Sequence, residues 1–291
     1  MSGAALPYVV PPSGSLPLPG LGDQPLTIFG PLVLLGVIVG WRRGLRYAEV
    51  HGIGADAART LMERVLVVGF VVAHWFSLVF YFPERIVADP WVLLWIPAGL
   101  SSVGGFLGAW LGLWWVTRRT GLPRLRCADL LTYGLLAGFC LGRLGCALVH
   151  DHPGRLASPD AWLAVGPWPG AGGQYRYDLG LLELGLCLGL LLAVHLGLDW
   201  RRAAPGRLTG LVAVGYAAVR FVLDFFRAVD AVGGGTPDPR YLGLTAAQHV
   251  TLVFLAAGAW LLLRREGASG AQPQGRGRVV GASRGALEDR S

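Results

Sequence analysis

The sequence predicts an all-α integral membrane protein, a bundle of about seven transmembrane helices with the N-terminus outside and the C-terminus cytoplasmic. Three observations predict it. The 291 residues are 53% hydrophobic and 15% charged, whereas a soluble domain carries about 25% charged residues. Apolar stretches recur at close to the ~20 residues that cross ~30 Å of hydrocarbon. The basic residues alternate between dense and sparse loops. The 44 glycines fit the same class, because small residues let helix backbones approach closely in lipid.

Residues 1–25 are rich in Pro, Gly and Ser and read as an irregular extramembrane lead. They lack a basic stretch followed by an apolar core and a cleavage site, so no cleaved signal peptide is expected. The membrane domain runs over 26–265, with apolar spans at 26–41, 61–82, 91–116, 128–150, 179–198, 208–226 and 247–263. Within it, the loop 151–178 carries Trp162, Trp168, Tyr175 and Tyr177, which suit a segment lying at the headgroups. The tail 266–291 is rich in Gly, Arg and Ala and is expected to be disordered.

All the basic residues other than His are Arg. They cluster after the first span (Arg42, Arg43, Arg46, Arg59), the third (Arg118, Arg119, Arg124, Arg126), the fifth (Arg201, Arg202, Arg207) and the last (Arg264, Arg265). The intervening loops hold Arg85, then Arg155 and Arg176, then Arg227 and Arg240, with Glu84, Asp89, Asp230 and Asp238 among them. Basic loops stay cytoplasmic, so the 151–178 loop faces outside. The net charge of +7 does not point to nucleic acid, because the Arg residues are scattered over short loops instead of forming one face. Cys127, Cys140, Cys146 and Cys187 lack paired metal spacing and read as small packing residues, so no metal site is expected. No internal repeat supports a transporter built from inverted halves.

Ionisable residues within the spans need partners, since each costs at least ~2.5 kcal/mol at the bilayer centre when unpaired. They are Glu63, Arg64, His74, Arg143, Glu183, His195, Arg220 and Asp224. Arg220 and Asp224 are four apart on a helix, share a face and can pair. Arg143 follows Gly142 and precedes Gly145, neighbours small enough to admit a bulky anion, and Arg can hold a phosphate through two parallel hydrogen bonds. The plainer account of Arg143 is a side chain snorkelling to the headgroups. The small-residue run Gly99–Gly105 either unwinds for a ligand or packs against a helix. His150 and His152 flank Asp151 as candidate bases or metal ligands, with solvated loop histidines as the blander account.

From about Leu16 to Arg265 these residues resemble the bacterial prolipoprotein diacylglyceryl transferases. Gly142, Arg143, Gly145 and Gly154 match the family signature G-R-x-G-N-F-x-N-x-E-x-x-G; Asp151 stands at its Glu, and Cys146 and Val149 at its two Asn. Gly215, Tyr216, Arg220 and Arg227 match a second pattern, with Asp224 again at a Glu. Glu183 ends a segment resembling H-P-S-Q-x-Y-E, with Tyr177 at the His, and Leu244–Gln248 resembles L-T-x-x-Q. The resemblance implies a multi-pass protein of the inner membrane that moves a diacylglyceryl group from phosphatidylglycerol to the lipobox cysteine of a preprolipoprotein. It releases glycerol phosphate and needs no cofactor. It implies a phospholipid site on Arg143 and Arg220 with Gly142, Gly145, Gly154, Glu183, Tyr216 and Asp224. The family's general base in S-F-H-G-G is replaced by Val103. His150, His152 and Asp151 are therefore the catalytic candidates, with His74 behind them. Two readings stay open: transfer to a thiol or another acceptor, and a non-catalytic phospholipid-binding protein of the same fold.

Overall fold

The computed structural model describes residues 5–10, 13–18, 22–95, 99–169, 172–230 and 238–264, so the expected disordered tail lies outside the described residues. The chain begins with a short strand β1 (Leu6–Pro7) and a hairpin of β2 (Ser13–Leu18) and β3 (Gly22–Thr27), paired from Ser13↔Thr27 to Leu18↔Gly22. The lead expected to be irregular therefore contains strands. Among the described residues seven long helices follow: α1 (Phe29–Val50), α2 (Ala55–Tyr81), α4 (Ser102–Thr120), α5 (Arg124–Val149), α6 (Leu179–Gly197), α7 (Arg207–Leu223) and α8 (Ala246–Leu263). A short α3 (Pro83–Ala88) lies between α2 and α4. Among the described residues, five helices are long and apolar enough to cross a membrane: α2, α5, α6, α7 with its 3-10 extension, and α8. The last part of α1 carries Arg42, Arg43, Arg46 and Glu49, which shortens its apolar stretch.

The span expected over 91–116 is displaced. Pro83 and Pro90 each open a separate short helical turn, Asp89 accepts a hydrogen bond from Trp91 N at 3.0 Å, and Gly99 has φ +143°. The long helix starts only at Ser102, after Ser101 caps it by accepting from Gly104 N. The small-residue run thus sits at a helix start. The loop 151–178 is a small sheet of β4 (Pro153–Leu156), β5 (Ala164–Gly166) and β6 (Arg176–Asp178), joined by β1 in the order β1-β5-β6-β4.

Small residues set the closest helix contacts. A Cβ on Gly36 would lie 2.6 Å from Gly138 O, and one on Gly134 2.6 Å from Gly40 O, so α1 and α5 cross antiparallel with their backbones touching. On α4, Gly104, Gly108 and Gly112 meet Phe76, Val72 and Val65 of α2. On α7, Gly210 faces Gly258 of α8. The four cysteines are buried and free.

Asp129 is fully buried on α5 and holds the start of α7. It accepts from Gly206 N at 2.6 Å, Thr209 N at 2.9 Å and Thr209 Oγ1 at 2.7 Å. Asp129→Ala removes a cap bridging two helices. It is expected to cost about 2 kcal/mol, the upper end for a cap, read as a lower Tm in detergent; an unchanged Tm would contradict the staple.

Candidate active site

Five helix ends converge at one end of the bundle, and each contributes polar side chains. Arg143 comes from the last turns of α5, Glu183 from the second turn of α6 and Arg220 from the end of α7; they are 3%, 0% and 2% exposed. Glu183 stands between the two arginines: Arg143 Nε is 3.0 Å from Oε2 and Arg220 Nε is 3.1 Å from Oε1. Tyr216, one turn before Arg220, donates its hydroxyl to Glu183 Oε2 at 3.3 Å. Arg143 Nη2 donates to Ser102 Oγ at 3.0 Å, tying in the start of α4. Asp224 lies in the 3-10 turn Asp224–Phe226 that follows α7; it pairs with Arg220, accepts from Arg227 Nε at 3.0 Å and accepts the hydroxyl of Thr245. Thr245 ends β8 (Leu244–Thr245), which pairs with β7 (Arg240–Tyr241), and forms a capping box with Gln248 at the start of α8. Arg227 continues to Asp238 at 2.8 Å.

The arrangement is a buried chain of alternating charge, and the helix spacing Arg220/Asp224 forms part of it. Such charges are tolerable only when paired. Arg143 and Arg220 meet this through Glu183, with their Nε–H groups at ion-pair distance from its two oxygens though off hydrogen-bond alignment.

A model of the prolipoprotein diacylglyceryl transferase family matches residues 19–264. The chain belongs to the prolipoprotein diacylglyceryl transferase family. Among its relatives, a phosphatidylglycerol–prolipoprotein diacylglyceryl transferase of Ruegeria pomeroyi is 36% identical over 206 residues, covering 64% of this chain and 68% of the relative. One of the same name from Zymomonas mobilis is 31% identical over 253 residues, covering 84% of this chain and 85% of the relative.

The other site residues separate in space. Asp151 and His152 pair with one another, and their ligand-capable atoms lie within 4.8 Å of Cys146 Sγ and of each other. Cys146 in turn lies 3.9 Å from Arg143 Nη1, which places the pair beside the transferase-family arginines. His150 faces elsewhere. It ends α5 at φ +54°, with Nδ1 2.5 Å from Asp178 Oδ2, Nε2 3.1 Å from Val9 O, and its ring stacked on Tyr8 at 4.1 Å. Both of its nitrogens thus brace the N-terminal segment against the cap of α6, where Asp178 Oδ1 accepts from Leu181 N at 3.1 Å. His74 is buried between Gly99 O at 3.1 Å and Val92 O at 2.9 Å. Val103 packs with Phe76, Ala246 and Ala247.

The three glycines also divide. A Cβ on Gly142 would meet nothing within 4 Å, so there is room beside Arg143. At Gly145 the expected room is filled by Phe29, 3.0 Å from such a Cβ. Gly154 faces Tyr177 O at 2.6 Å and Phe226 O at 2.9 Å, and is bridged to Arg227. These two serve close backbone packing around the arginines. Sequence reasoning did not single out Ser102, Thr245, Gln248 and Asp178 as site residues.

His150 gives a pH dependence. Burial works against its imidazolium, but the hydrogen bond and charge of Asp178 outweigh it and raise the pKa above 6.5. A raised pKa stabilises the folded contact fully below the unfolded value of about 6.5, and that contribution is lost as pH rises through the folded value. Protection of the amides in residues 5–10, relative to their intrinsic exchange rates, is expected to be greater below that value and smaller above it. Protection of Tyr8 that is flat across this range would contradict the coupling.

Proposed function

We propose that the protein transfers the diacylglyceryl group of phosphatidylglycerol to a cysteine thiol, with Arg143 and Arg220 holding the phosphate. Seven helices cross the inner membrane, with the N-terminus outside and the C-terminus cytoplasmic, so the Glu183 cluster and the 151–178 loop face the exterior. The alternating arginines support this orientation. Family membership and the names of the relatives support the substrates. The observation that carries the assignment is the convergence of two buried arginines, Arg143 and Arg220, on either side of the single carboxylate of Glu183.

In this reaction the thiol of a lipobox cysteine loses its proton, because the thiolate is the nucleophile. Sulfur attacks the glyceryl carbon that bears the phosphate oxygen. The C–S bond forms, the C–O bond breaks, and glycerol phosphate leaves with the bond's electron pair. Arg143 and Arg220 take up the charge that develops on the leaving phosphate. His152, oriented by Asp151 and placed next to Cys146 beside Arg143, accepts the thiol proton in place of the absent family histidine.

In a peptide-lipidation assay with phosphatidylglycerol, His152→Ala is expected to lower the rate by about 10²–10⁴-fold. His150→Ala, which removes a ring held by Asp178, Val9 and Tyr8, is expected to act through stability and not through the rate of the folded enzyme. Wild-type rates in the His152→Ala protein would remove His152 from the mechanism. The alternative of a phospholipid-binding protein without turnover is favoured by one observation, the apolar burial of Val103 at the family's base position. It predicts bound phosphatidylglycerol and no thioether.

A further inference from the structure

A second site lies at the other end of the bundle. Because α1 and α5 cross antiparallel at Gly36–Gly138 and Gly40–Gly134, the end of α1 lies far from Arg143. There the last turns of α1, the start of α2 and the loop after α6 border an open pocket of about 830 Å³ lined by Arg42, Arg46, Arg59, Arg201, Glu49 and an apolar wall that includes Ile53. Four arginines face one glutamate. Asp56 neutralises Arg59 at 2.8 Å, while Arg42 and Arg46 make no ion pair among the described residues. With Arg201, which likewise makes no ion pair among the described residues, three guanidinium groups face the one carboxylate of Glu49, beside an apolar wall that also includes Leu45 and Val50.

We propose that this cavity binds the phosphate of an anionic phospholipid in the leaflet opposite the Glu183 cluster. Uncompensated guanidinium groups recognise phosphate oxygens through paired N–H donors. The apolar wall fits the upper part of an acyl chain, which a soluble anion does not have. Basic pockets between transmembrane helices on the cytoplasmic side are suited to lipid headgroups. The site does not depend on transfer chemistry: it uses none of the residues of the Glu183 cluster, and a bound lipid there would fasten the α1–α2 turn.

The test is native mass spectrometry of the purified full chain with phosphatidylglycerol, with phosphatidylcholine and with inorganic phosphate as competitor. Near-surface basic residues each contribute roughly fivefold to affinity for anionic lipid, so the Arg42→Gln, Arg46→Gln, Arg201→Gln triple variant is expected to bind one phosphatidylglycerol about 100-fold more weakly. The Arg118→Gln, Arg119→Gln variant removes exposed charge at the same end, outside the cavity, and is expected to keep that lipid. Single changes at Arg42 and Arg46 give graded losses and guard against misfolding of the triple variant. Equal loss in lining and control variants, or no loss in either, would overturn the proposal. Displacement of the lipid by inorganic phosphate at matched concentration would assign the cavity to a soluble anion and also overturn it.

Discussion

Glu183→Gln is expected to destabilise the protein by about 3–5 kcal/mol, the cost of leaving buried charge without its partner. Two guanidinium groups share this one carboxylate, at 3.0 and 3.1 Å. An amide keeps the volume but loses the charge, so Arg143 would lose its ion-pair partner and Arg220 would keep only Asp224. A large drop in Tm follows, and it should be partly reversed by added phosphatidylglycerol, whose phosphate supplies the missing negative charge. Rescue by the anionic lipid and not by phosphatidylcholine separates this account from a generic packing defect. A Glu183→Gln protein as stable as the wild type, or one rescued equally by both lipids, would show that the cluster does not hold these charges as described.

The second large effect is in packing. A Cβ on Gly138 would collide with the carbonyl oxygen of Gly36, which is backbone and cannot turn aside. Gly138→Ala must push α1 away from α5 and is expected to cost about 1–3 kcal/mol, and Gly138→Leu more. Gly189→Ala, on α6, meets nothing within 4 Å and is expected to be neutral or slightly stabilising, because Ala is the better helix former. Thermal unfolding of the three variants in one detergent checks the contrast. Equal Tm values for Gly138→Ala and Gly189→Ala would contradict backbone contact between α1 and α5.

The helical class was legible because hydropathy and helix spacing are local. Arg220 and Asp224 were legible as a pair for the same reason, being one helical turn apart. Glu183 was legible as an ionisable residue within a span, but its partners were not: its two arginines lie in other helices, and no local pattern reports such a contact. Ser102 and Thr245 were hidden because a short hydroxyl side chain reads as a small residue or a helix cap. Both roles are real here, but each hydroxyl also touches the charged chain. His150 read as a candidate base because Tyr8 and Asp178, which enclose it, are distant in sequence. The displaced start of the third long helix has a different cause. Trp91–Leu94 is apolar enough to read as a span, yet Pro83 and Pro90 split the segment into short turns before Ser102.

The most direct test of the central claim is one incubation of the purified wild-type protein with phosphatidylglycerol and a lipobox peptide, followed by mass spectrometry of both products. The account predicts a diacylglyceryl thioether on the peptide cysteine and glycerol phosphate in equal amount, and Arg143→Ala lowering both together by about 10²–10³-fold, the usual loss for one donor to a developing anion. Bound phosphatidylglycerol with neither product would contradict it and leave a lipid-binding protein on a transferase fold.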